Sequence, residues 1–194
     1  EFAPYKKFSV KFLTYLKKYP LLLLSGLFYN LAIWIDKFII WSGPEGAPLG
    51  HWLFFAEVYD VPVFLAYLTM IPAIAYFVLE VETSFLVKYN TYYHGIIKKH
   101  NLETINLLKD DILFNLKMGI WSLVKVQGFV AILAFLLAPF IGDIAGLTNV
   151  QVRIMQVAIF GVFFHMLFQV VSIVMLYFEF RKESILVNLI FLIT

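Results

Sequence analysis

The sequence predicts an all-α fold, a polytopic bundle of helices embedded in a membrane, and three observations carry that prediction. Of 194 residues, 62% are hydrophobic and 14% charged, against about 45–50% and about 25% in soluble domains. A soluble domain of about 150 residues still leaves roughly a third of its chain's surface in water, so this much apolar surface requires lipid as the solvent. The apolar residues also fall in runs of about 20, the length at which a helix crosses a hydrocarbon core of about 30 Å. Finally, Lys and Arg are concentrated in alternate gaps between those runs. The absence of cysteine excludes disulfides, zinc knuckles, iron–sulfur sites and thiol nucleophiles. A net charge of +2 is too small a surplus for a nucleic-acid footprint.

The expected spans cover residues 20–41, 61–79, 119–141 and 154–178, with a truncated fifth over 185–194. Pro20 suits the first turn of the first span, where its missing N–H has no partner to lose. Gly43, Pro44, Gly46, Pro48 and Gly50 mark the linker 42–60, and Trp52, Phe54 and Phe55 suit the headgroup level. In the second span Pro72 frees the carbonyl of Leu68, which predicts a kink and a candidate hinge. Segment 80–117 reads as cytoplasmic and helical, in two pieces. The first runs to about Lys99, and the second is capped by Asn101 with Glu103 in its first turn. Ile105, Leu108, Ile112 and Leu116 give that second piece one apolar face, so it is expected to lie along the membrane surface or against a partner. Because the chain begins without Met and ends inside an apolar run, it reads as a fragment of a longer protein.

Orientation follows from the positive charges. Twelve of the fifteen lie before the first span, between the second and third, or after the fourth. Those sides, and the N-terminal end, are expected to be cytoplasmic.

Polar groups inside spans are costly enough to mark functional hypotheses. At about 100° per residue, Ser25, Tyr29, Asn30, Asp36 and Lys37 occupy a sector about 140° wide on the first span. Such a sector is expected to face other helices or a water-filled cavity. Asp36 and Lys37 point about 100° apart and are not expected to pair with each other. The fourth span carries Gly161, His165, Gln169 and Ser172 within about 80°, a stripe that suits helix packing or, at His165, proton coupling. Asn30, Asp36, Lys37, Tyr29, His165 and Gln169 are therefore the candidate substrate or coupling-ion path. Pro62, Thr69, Tyr76 and Thr83 recur every seven residues and read as packing, and Lys125 reads as a snorkelling side chain.

Enzyme signatures are missing. The four His show no metal-ligand spacing, no phosphate-binding GxxxxGK[ST] occurs, and neither a catalytic residue, a metal nor a cofactor is expected. Lysines interleaved with Phe8, Phe12 and Tyr15 lie beside a span, which favours membrane lipid over nucleic acid as the partner.

One resemblance is specific. The run Tyr29-Asn30-Leu31-Ala32-Ile33-Trp34-Ile35-Asp36-Lys37-Phe38, then Tyr59-Asp60-Val61-Pro62-Val63-Phe64-Leu65-Ala66-Tyr67-Leu68 and Glu80-Val81-Glu82-Thr83, resembles the PelG family of exopolysaccharide exporters. That family lies within the multidrug/oligosaccharidyl-lipid/polysaccharide flippase superfamily. The resemblance implies a two-lobed flippase of the cytoplasmic (inner) membrane, with this chain opening the second lobe. It further implies a polysaccharide substrate and other Pel synthase subunits as partners, including a cytosolic glycosyltransferase. Asn30, Asp36 and Lys37 match as positions without assigned roles. Two other readings stay open: a multidrug or lipid-linked oligosaccharide flippase, and a non-transporting scaffold of a polysaccharide synthase complex.

Overall fold

A computed structural model describes residues 16–51 and 53–193. The expectations for Lys6, Lys7, Lys11, Phe8, Phe12, Tyr15, Trp52 and Thr194 lie outside the described residues. Helices account for nearly all of the rest, with one pair of two-residue strands. Four helical stretches are long and apolar enough to cross a membrane: Pro20–Trp41, Glu57–Ile97, Leu102–Ala145 and Asn149–Tyr177. The chain is thus an all-α membrane helical bundle.

Helix α1 is Pro20–Trp41, opened by its proline. Both the N–H and the hydroxyl of Ser42 bond to the carbonyl of Phe38, at 3.1 and 2.7 Å, and close its last turn. The tight turn behind it needs Gly46, where a Cβ would stand 2.1 Å from the Trp41 carbonyl oxygen. Strands β1 (Ala47–Pro48) and β2 (Phe54–Phe55) follow.

The next stretch is a broken stack. Helix α2, Glu57–Leu68, is capped by the Asp60 carboxylate, which accepts the Ala56 N–H at 2.8 Å. It tightens at Thr69 and Met70, whose N–H groups bond to Ala66 and Tyr67 carbonyls at 3.1 and 3.0 Å. Pro72 therefore does not kink the middle of a helix. It occupies the first turn of α3, Ile71–Tyr76, where no donor is needed, and the break lies two residues before it. A π-helix, Phe77–Glu82, leads into α4, Thr83–Ile97. Of the residues with seven-residue spacing, Pro62 is buried inside α2, while two sit at these irregularities: Thr69 Oγ1 donates to Ala66 O at 2.7 Å and Thr83 Oγ1 to Val78 O at 3.0 Å.

Helix α5 runs unbroken for 44 residues, Leu102–Ala145. Asn101 caps it as expected, its side chain accepting the Thr104 N–H at 2.9 Å. The separate surface helix expected over 101–116 does not form, because no glycine, proline or competing cap stands between Leu116 and Gly119 to end the first piece. Further along, Pro139 deprives the Phe135 carbonyl of its helical donor, and Gln156 Nε2 supplies one at 3.3 Å. Gly146, at φ 69°, ends the helix. Thr148 and Gln151 form a reciprocal capping box for α6, Asn149–Tyr177, and α7 is Arg181–Ile193.

The chain divides into two compact units, Glu1–Phe54 with Val171–Thr194, and Phe55–Val170. In the second unit α4 and the first turns of α5 pack as an antiparallel pair, tied by Lys88 to Asp111 at 2.5 Å and Asn115 to Ser84 at 2.9 Å. The stack 57–97 and helix α5 each rise about 60–65 Å, twice a hydrocarbon core of about 30 Å. Their polar halves pair as a hairpin.

Candidate functional site

In the first unit the buried side chains among the described residues are all polar: Ser25, Ser172, Ser184 and Asn188. They join in one network. Asn188 Nδ2 donates to Ser25 Oγ at 2.6 Å and to Ser25 O at 3.2 Å, Ser25 and Ser184 hydroxyls lie 2.8 Å apart, and Ser172 Oγ donates to Asn188 Oδ1 at 3.3 Å. Leu21 to Leu24, Leu27, Leu31, Trp34 and Phe38 instead point outward. A water-soluble unit would invert this pattern. In lipid it is reasonable, since apolar side chains gain nothing from leaving hydrocarbon, whereas polar groups gain by finding one another.

The candidate path residues of this unit are distributed along α1. Tyr29 stacks on Phe191 with ring centroids 6.2 Å apart. Asn30 is exposed and donates to its own helix at Gly26 O, 2.7 Å, beside an apolar groove formed with Leu27, Leu31, Trp34 and Phe38. Asp36 and Lys37 do pair, contrary to expectation: Lys37 Nζ stands 3.5 Å from Asp36 Oδ2. The 100° between them describes where Cα–Cβ bonds start, while the lysine's four-carbon stem folds back along the helix. Its ammonium also donates to Ile33 O at 3.4 Å and lies 5.8 Å from the Trp34 ring centre. The Lys37 side chain is 18% exposed and that of Asp36 38%.

In the second unit His165 is buried, with the Tyr67 ring edge-on at 5.7 Å. Gln169 is half-buried. The predicted stripe on α6 therefore divides, with Ser172 bound into the network of the first unit and Gly161 exposed, its missing side chain facing open space. Pro72 is exposed at the start of α3 and Lys125 exposed on α5. Sequence reasoning missed Gln127, wholly buried on α5 with neither end of its amide hydrogen-bonded among the described residues. Its signal was available as a lone amide within an apolar run. Among the described residues no three His, Cys, Asp or Glu side chains gather where they could hold a metal ion.

A family model, that of the PelG exopolysaccharide exporters (EPS-E), matches residues 1–194. The chain belongs to the PelG family. No curated protein and no solved structure matches it. PelG is a family of exporters and not of enzymes, and its place is the inner membrane. With four helices able to cross lipid, this PelG chain is a multi-pass membrane protein of exopolysaccharide export.

Proposed function

We propose that the chain is part of a transporter that moves a nascent exopolysaccharide across the cytoplasmic membrane, with the polymer's sugars meeting polar groups of the spans. What supports this reading above all is the PelG match along the whole chain. The paired Asp36 and Lys37, costly in hydrocarbon at roughly 2.5–3.5 kcal/mol each on insertion scales, are the first candidates for the path, with Tyr29, Asn30, His165 and Gln169 beside them. From the charge distribution we infer that the N-terminal end and segment 80–117, which holds the hairpin, face the cytoplasm. There the hairpin's exposed Leu107 and Phe114 offer a surface for the glycosyltransferase that makes the polymer.

That surface also favours a second reading, in which the chain anchors the synthase without transporting anything. Depletion of the full-length protein separates the two. Export predicts that secreted polymer falls while cell-retained polymer rises, and Asp36→Asn should then cut secretion several-fold at unchanged membrane abundance. A scaffold predicts that secreted and retained polymer fall together.

A further inference from the structure

The π-helix between α3 and α4 has a consequence for binding. An α-helix drifts about 40° over four residues, and the wider i→i+5 turn offsets that drift, so Tyr76, Glu80 and Ser84 share one side of the stack. Opposite them, Asn115, Gly119 and Ser122 share one face of α5 through i, i+4, i+7 spacing. Gly119 sets how closely the two approach, since a Cβ there would come within 3.0 Å of Val81 Cγ1. A groove of about 190 Å³ lies between, lined by Tyr76, Glu80, Ser84, Asn115, Met118 and Ser122.

Its chemistry is specific. One carboxylate, one amide and three hydroxyls converge on a space too small for a drug-sized molecule, whose pockets run to about 300–1,000 Å³. The Asn115 amide nitrogen already donates to Ser84 Oγ at 2.9 Å, which orients both groups. No hydrogen bond or ion pair engages Glu80 among the described residues. The groove also has a definite level, where the stack and α5 both pass from apolar to polar sequence, at the base of the hairpin.

We propose that this groove binds one sugar unit of the exported polymer at the membrane surface, with Glu80 accepting hydrogen bonds from sugar hydroxyl or amino groups and Asn115, Ser122 and Tyr76 completing the ring of contacts. The proposal rests on the export reading and adds the place where the polymer is gripped before it enters the membrane. A hydrogen bond to a charged group contributes about 1.5–3 kcal/mol, so neutralising the carboxylate weakens the grip by about ten-fold or more.

The test uses the full-length exporter in polymer-producing cells. A photo-crosslinking amino acid is placed at Met118, which lines the groove, or at Leu113, exposed on α5 away from it. Sugar analysis of the purified protein then measures captured glycan. Capture at Met118 should exceed that at Leu113 and drop about ten-fold with Glu80→Gln at unchanged abundance. Equal capture at the two positions, or capture indifferent to Glu80→Gln, would overturn the groove. A parallel depletion that leaves secretion unchanged would instead overturn the export reading, so the two failures are distinguishable.

Discussion

Single residues carry most of the specificity inside the lipid. Asn188 illustrates the point, because one amide links α7 to both the hydroxyl and the carbonyl of Ser25 and to the hydroxyl of Ser172. Asn188→Leu leaves those groups without their partner and should cost about 1–2 kcal/mol, the range of interhelical hydrogen bonds in membranes. The thermal midpoint in detergent should fall clearly, while Leu186→Ala, on the exposed side of the same helix, leaves it nearly unchanged. Equal midpoints for the two variants would show that the network contributes no stability. The network was only partly legible in the sequence. Ser25 and Ser172 stood out as polar groups in spans, but Ser184 lies 159 residues from Ser25, a separation that no periodicity bridges. Likewise Asp36 and Lys37 were legible as costly charges and not as a pair, because helical angles locate the roots of side chains and leave the ends of long ones free.

At the scale of elements, breaks and caps were readable where a residue type forces them. Asn101 and Pro20 mark helix starts through donors that must be satisfied or absent. The π-helix at Phe77–Glu82 was not readable, since a shift in hydrogen-bond register leaves no mark in composition. Nor was the continuity of α5, because helix propensity is blind to where lipid ends. Pro139 within that helix yields a sharp prediction. Gln156→Leu should destabilise by about 1–2 kcal/mol, as it leaves the Phe135 carbonyl unpaired. Adding Pro139→Ala restores a backbone N–H four residues on, so the double variant should recover most of the loss. Simple additivity of the two changes in a double-mutant cycle would show that Gln156 does not serve that carbonyl.

For the molecule as a whole, composition was the most legible signal and the path through the membrane the least, because a path is defined by several helices at once. Orientation is checked with single cysteines in a cysteine-free background. An impermeant thiol reagent should label Glu45→Cys in intact cells and Lys98→Cys only after permeabilisation, and the opposite pattern would reverse the charge-based topology. Export itself is tested most directly in inverted membrane vesicles that contain the full-length protein and its synthase and receive sugar-nucleotide donors. The export account predicts polymer in the vesicle lumen, protected from added glycosidase, and its loss when the protein is omitted while synthesis continues. Polymer that stays outside, fully digestible whether or not the protein is present, would contradict it.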